Sequence, residues 1–274
     1  MTEQDIAAPS TPHPSKTAVA HAAVVTGASS GIGRATALRL AREGWTVYAV
    51  ARRAERLQEL ADHAAGEGAG VGTVVPVPAD VTDPVQVARV KDQVEAAGGA
   101  DTVLAIAGGA LGTDTVAEGR TEQWEDMFRS NVLGTLHTVQ AFLPMLRASG
   151  RGTVLVLTST AGQVSYEGGG GYNAAKFGQH GLVGALRLEE AEHEVRVIEV
   201  LPGLVHTEEF SLNRLGGDRS KAEAVYAGVE RPLTAEDVAD VCAYAVNAPH
   251  HVNLDQIVVR PLAQAAAHKL IRRT

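Results

Sequence analysis

Tyr172 and Lys176 stand four positions apart in Tyr172-Asn173-Ala174-Ala175-Lys176, a spacing that puts a phenol and an ammonium on one face of a helix. A phenol at its ordinary pKa of about 10 keeps its proton at neutral pH and exchanges it reluctantly. A cation beside it lowers that pKa and turns the tyrosine into a usable general acid or base. Chance surface pairs of this kind are common, so the spacing alone is weak. Ser159 adds to it, because it follows the apolar run Val154-Leu155-Val156-Leu157 just before this helix. The carboxyl ends of strands are where open α/β sheets hold their ligands.

The elements that must position these groups follow from hydrophobic patterning. Short β-branched runs at Ala22–Thr26, Trp45–Ala51, Thr73–Pro78, Thr102–Ala107, Thr153–Thr158, Arg196–Leu201 and Gln256–Val259 alternate with helical stretches such as Gly31–Glu43 and Ala54–Ala65. This βαβ rhythm predicts an α/β fold, a single doubly wound domain with a seven-stranded parallel sheet. Continuously apolar strands imply helices on both faces of the sheet. We place the domain at residues 21–264, between an N-terminal tail (1–20) and a C-terminal tail (265–274). The first of these, with Pro9, Pro12 and Pro14 among polar residues, reads as disordered. Gly168 to Gly171 is too short to link domains and more simply shapes a loop.

Composition narrows the classes. A chain with 45% hydrophobic and 20% charged residues is not a disordered one. A net charge of −8 without a basic block disfavours nucleic acid as a partner. The single cysteine, Cys242, excludes an internal disulfide and sits in the apolar stripe of a helix with Val238, Val241, Ala245 and Val246. The ten histidines lack metal-ligand spacing, so no metal is expected. No apolar run approaches the roughly 20 residues that span a bilayer, and the first residues do not read as a signal segment, so we expect no membrane partner and a cytoplasmic protein.

Thr26-Gly27-Ala28-Ser29-Ser30-Gly31-Ile32-Gly33 follows the first strand and opens the first helix, the setting in which a glycine-rich turn lets backbone approach a pyrophosphate. The spacing is Gly-x3-Gly-x-Gly, so the inference rests on position; a purely structural turn is the alternative. The domain is therefore expected to be of Rossmann type. The second strand runs into Arg52 and Arg53, where many such sites place a carboxylate for the adenosine ribose. Two forked, permanently charged donors suit a 2′-phosphate and favour NADP(H). A solvated basic helix start is the competing explanation.

With these residues in place, the chain resembles the short-chain dehydrogenase/reductase family over about residues 21 to 264. The family's marks occur in its order: the Thr26–Gly33 turn, Asp80-Val81, Asn131, Ser159, Tyr172 with Lys176, and Pro202-Gly203-Leu204-Val205-His206-Thr207. The resemblance implies a catalytic set of Asn131, Ser159, Tyr172 and Lys176. Tyr172 would be the acid/base, Ser159 would polarise the carbonyl, and Lys176 would bind the nicotinamide ribose and tune Tyr172. Asn131 would hold a water in a proton relay. It also implies cofactor contacts from Gly27, Ser29, Ser30, Gly31, Ile32, Gly33, Arg52, Arg53, Asp80, Val81, Ala107, Gly108, Pro202, Gly203, Val205 and Thr207, with Asp80 and Val81 at the adenine. One departure is Ala105-Ile106-Ala107-Gly108, where the family usually has Asn-Asn-Ala-Gly. Altered local bracing, with backbone contact to the cofactor retained, is the expectation there.

The C-terminal third, with Thr207, Glu208 and Phe210, Leu233-Thr234-Ala235-Glu236-Asp237-Val238, and Arg260-Pro261, resembles NADP-dependent 3-hydroxy acid dehydrogenases of the serine type, and also clavulanaldehyde reductases. The resemblance implies an oxidoreductase acting on a small polar alcohol or carbonyl, assembled as a homotetramer. A 3-oxoacyl thioester reductase and a non-catalytic NADP sensor are the rival readings. A lid is expected over about Thr207 to Gly228, whose Arg214, Arg219 and Lys221 either hold a substrate carboxylate or are simply solvated; His206, Glu208 and Glu209 are equally open.

Overall fold

In the computed structural model, which describes residues 21–68, 70 and 72–273, seven strands form one parallel sheet. They are β1 (Ala22–Thr26), β2 (Thr46–Ala51), β3 (Val74–Pro78), β4 (Thr102–Ala105), β5 (Thr153–Leu157), β6 (Arg196–Pro202) and β7 (Gln256–Val259), in the order β3-β2-β1-β4-β5-β6-β7. The chain reverses direction across the sheet between β1 and β4, and that switch point opens a crevice at the strands' carboxyl ends. The expected tail at residues 1–20 lies outside the described residues.

Alternation along each strand builds two cores. Ala23, Val25, Leu104, Leu155, Ile198 and Val200 face one side, whereas Val24, Val103, Ala105, Val154, Val156 and Val197 face the other. The first layer is covered by α1 (Gly31–Ala41), α2 (Ala54–Gly66) and a long-range neighbour whose Val238 and Cys242 join it. The second is covered by α3 (Pro84–Ala96), and by two helices that carry Phe142 and Val183 into it. Burial pushes the Cys242 thiol pKa up, as expected of a core thiol. Pro76 and Pro78 are tolerated because β3 pairs only with β2 and forms an edge.

After β4 come α4 (Thr121–Phe128), one π turn at Arg129–Leu133, and α5 (Gly134–Ala148). α6 (Gly170–Glu190) follows β5. The expected lid holds two short helices, α7 (Phe210–Arg214) and α8 (Arg219–Ala224), and α9 (Ala235–Asn247) starts from a capping box of Thr234 and Asp237.

The segment 265–273 is more than a tail. β8 (Gln264–Ala266) and β9 (Lys269–Leu270) form an antiparallel pair that begins within the expected domain limit. Beyond it, Arg272 donates to the carbonyls of Val225 and Ala227, and the Arg273 N–H donates to Gly228 O at 2.7 Å. This extension fastens the far end of the lid. Among the described residues, no helix is long and apolar enough to cross a membrane.

Candidate active site

The glycine-rich turn has the shape of a cradle. Gly27 has φ +72°, and a Cβ there would lie 2.9 Å from the Ala107 Cα. A Cβ on Gly33 would run into the Gly27 carbonyl. Ser30 precedes α1 without capping it through its side chain, so the first N–H groups of the helix are left for an external acceptor. These features fit a dinucleotide pyrophosphate.

The loop opposite is braced differently from the family's usual pattern. Thr26 Oγ1 accepts the N–H groups of Ile106 at 3.0 Å and Ala107 at 3.1 Å. That capture ends β4 at Ala105, two residues before the expected boundary. Asn131, fully buried in the π turn, accepts from Gly109 N at 3.2 Å and donates through Nδ2 to Gly109 O at 2.9 Å and Met127 O at 2.8 Å. The Ala105-Ile106 pair therefore leaves bracing to Thr26 and Asn131, and Gly108 stays close-packed because a Cβ there would strike Asn131 Oδ1.

Beyond β2, Arg52 is exposed and makes no side-chain hydrogen bond among the described residues. Arg53 is engaged: it donates to Glu209 at 2.7 and 2.9 Å and to Ser29 Oγ at 3.0 Å. Asp80 Oδ1 accepts from the N–H and hydroxyl of Thr82, which shapes the turn before α3. The Val81 carbonyl meets His137 Nδ1 at 3.1 Å. On the other side of the crevice Gly203 N donates to Val259 O, Val205 bridges to Leu233, and Thr207 packs above Gly31. Ile32 packs against the first core.

Tyr172, Lys176, Asn131 and Ser159 are all buried. Ser159 Oγ accepts from Ala161 N at 3.1 Å and donates to Pro202 O at 3.4 Å. Burial raises the Tyr172 pKa above that of an ordinary phenol, while Ser159 and the Arg214 charge pull it down. Lys176 donates to Leu157 O at 3.2 Å and Gln179 Oε1 at 2.7 Å. Its pKa is pushed down to about 7 by burial, against the attraction of Glu199. Gln179 donates on to Thr135 Oγ1 at 2.8 Å, and Thr135 to Asn131 O at 2.7 Å. A continuous polar chain thus joins Lys176 to Asn131.

Tyr172 packs in a small apolar cluster with Ala110, Met127, Ala161 and Ala175, against which Leu111, Trp124, Tyr166 and Phe210 lie, and the mouth beside it is also lined by Asp114, Gln123 and the glycines from Gly168 to Gly171. Phe210 meets the Tyr172 ring edge-on, centroids 5.9 Å apart. Of the three lid cations only Arg214 enters this mouth. It donates to Gly112 O at 3.2 Å, Tyr166 OH at 3.0 Å and Gly168 O at 3.2 Å. No carboxylate pairs with it among the described residues. Arg219 is exposed on α8, and Lys221 is exposed beside Asp218. Trp124 and Tyr166 were not singled out from sequence, where a lone aromatic gives no positional signal, and Phe210 was noted only as part of the resemblance.

The chain belongs to the short chain dehydrogenase family, which it matches over residues 21–214, and is an oxidoreductase acting on CH–OH groups. It is 47% identical over 90% of its length, and 93% of the relative's, to an uncharacterized oxidoreductase of Mycobacterium tuberculosis. It is 38% identical to sulfoacetaldehyde reductase 2 of Chromohalobacter salexigens, with 88% of this chain and 94% of that one covered. It is 35% identical to an NADP-dependent 3-hydroxy acid dehydrogenase of Schizosaccharomyces pombe, covering 91% and 96%. Among solved structures, the closed form of serine dehydrogenase complexed with NADP+ is similar at a TM-score of 0.81 and 31% identity, covering 92% of this chain and all of that one.

Proposed function

We propose that the protein is an NADP(H)-dependent dehydrogenase or reductase of a short alcohol or carbonyl compound that carries an acid group. The observation behind the acid group is Arg214, a guanidinium without a carboxylate partner among the described residues, held 5.7 Å from the centroid of the Tyr172 ring. A forked guanidinium pairs with a carboxylate or sulfonate through charge-assisted hydrogen bonds. Three relatives named for a sulfonated aldehyde, a hydroxy acid and serine support the same class.

The glycine-rich turn, the start of α1, Ala107-Gly108 and the Pro202–Thr207 segment would hold the dinucleotide, with Arg52 and Arg53 at its 2′-phosphate. Once bound, it supplies or accepts the hydride. Lys176 would bond ribose hydroxyls, and Asn131 keeps the loop at Gly108-Gly109 in position. Ser159 donates to the substrate oxygen and orients it towards Tyr172. In reduction the Tyr172 hydroxyl gives its proton to that oxygen; in oxidation the phenolate takes the proton back. The chain Lys176-Gln179-Thr135-Asn131 offers the side-chain route along which Lys176 is kept oriented.

A test follows NADPH absorbance with carboxylated, sulfonated and uncharged short aldehydes and with acyl thioesters. Turnover favouring the acids, abolished in Tyr172→Phe with NADPH binding retained, is expected. Preference for thioesters would replace the acid reading with a 3-oxoacyl reductase, and NADPH binding without any turnover would leave a sensor.

A further inference from the structure

The bridge between Arg53 and Glu209 joins residues 156 positions apart. Arg53 stands just past β2, at the adenosine end of the crevice, and Glu209 immediately precedes α7. Both carboxylate oxygens are used, one on each terminal nitrogen of the guanidinium. Ser30 also pulls the pKa of the same carboxyl down, and Ser29 Oγ accepts from Arg53 at 3.0 Å. Arg53, the strongest influence, holds the Glu209 carboxyl below the usual carboxylate range, so it is charged at neutral pH. Glu209 therefore occupies a forked guanidinium, a donor that suits a phosphate.

α7 is only five residues long, and its two ends do different work. Glu209 lies before its first residue, Phe210, which packs on Tyr172. Its last residue, Arg214, is fastened to the loops at Gly112 and Gly168. A shift of Glu209 must be absorbed by the segment that carries both substrate-side groups.

We propose that Glu209 is a specificity-determining residue for the dinucleotide: its carboxylate and an adenosine 2′-phosphate compete for Arg53, so the phosphate is sensed by the lid over Tyr172. The proposal rests on the NADP(H) reading above. A dinucleotide with the 2′-phosphate displaces Glu209 from Arg53 and loosens the start of α7. One without it leaves the bridge closed. Removing the carboxylate should then favour the phosphorylated ligand alone.

The test uses adenosine 2′,5′-bisphosphate and 5′-AMP, which carry no nicotinamide, titrated calorimetrically into the native protein and Glu209→Gln. The native protein should bind the bisphosphate more tightly than 5′-AMP. Glu209→Gln should gain about fivefold for the bisphosphate, the scale of a lost partly exposed ion pair, and be unchanged for 5′-AMP. Glu209→Ala, which leaves no amide to bond Arg53, should gain at least as much. Hydrogen exchange over residues 207–215 should quicken on adding the bisphosphate to the native protein and be fast already in Glu209→Gln. No gain in either variant, with the native preference intact, overturns the competition alone. A native protein that does not distinguish the two ligands overturns the NADP(H) reading and this proposal together.

Discussion

The guanidinium carbon of Arg214 lies 5.7 Å from the centroid of the Tyr172 ring, and its charge opposes the rise in the phenol's pKa that burial causes. Lys176, the cation expected from spacing to do this, has its nitrogen 5.8 Å from the same centroid and spends its bonds on Leu157 and Gln179. Two basic side chains thus flank one phenol, Arg214 on the side of the lid and Lys176 turned towards Leu157 and Gln179.

Arg214→Gln should shift the pH profile of alcohol oxidation to higher pH. Oxidation needs the phenolate; losing a nearby cation destabilises the phenolate and raises the pH at which it forms. The KM for an acid substrate should rise at least tenfold, with a much smaller change for an uncharged alcohol. Initial rates between pH 6 and 10 on both substrates check this. An unmoved profile with equal KM effects would mean that Arg214 only fastens the lid.

Arg52→Asp should reverse or abolish a preference for NADPH over NADH. A carboxylate beside the ribose repels the 2′-phosphate and accepts hydrogen bonds from free hydroxyls. The effect on the ratio of kcat/KM values should be about a hundredfold, the scale of losing a charge-assisted contact and adding a repulsion. Arg52 is exposed, so stability should be nearly unchanged, and thermal melting serves as the control.

Thr26→Val keeps the side chain's shape but removes the acceptor of the Ile106 and Ala107 N–H groups. Two donors in a largely buried loop then lose their partner, which costs about 2 kcal/mol or more. A fall in Tm of several degrees and weaker NADPH binding are expected, while Thr26→Ser should preserve both. A Thr26→Val protein as stable as the native one would show that the loop is held by Asn131 alone.

The outward face of α6 offers Ala174, Phe177, Gly181, Ala185 and Leu188 at helical spacing, of which Phe177 is 42% and Leu188 82% exposed. Among the described residues outside its own helix turn, nothing lies within 4 Å of a Cβ built on Gly181, so burial against its own sheet does not account for that glycine. We expect a homotetramer in which this face packs against a second copy. Sedimentation velocity at micromolar concentration should show it, and Gly181→Glu should shift the protein towards smaller species. A native monomer would refute the expectation.

How far the chain could be read from its residues alone differs between fold and site, and the reason is range. The strands were legible because alternation and β-branching are local, and each registers within a handful of residues. The glycine-rich turn was legible because Gly27 needs a positive φ and a close approach that other side chains forbid. The Tyr172–Lys176 pair was legible because the helix period alone sets neighbours four apart. The sheet order placed Ser159 against Tyr172 and Asn131 against Gly109, a step that resemblance anticipated and spacing could not.

What the tertiary structure alone decided are partnerships across long stretches of chain. Arg214, Arg219 and Lys221 are equivalent cations in the sequence; only the fold of the lid turns Arg214 to Tyr166 and Gly168 and leaves the other two in solvent. Arg53 reads as a free phosphate ligand until the crossover after β6 brings Glu209 onto it. A residue's type and near neighbours determine which interactions it can make. Which one it does make depends on what the closed sheet and lid bring within about 3 Å, the range over which a hydrogen bond acts.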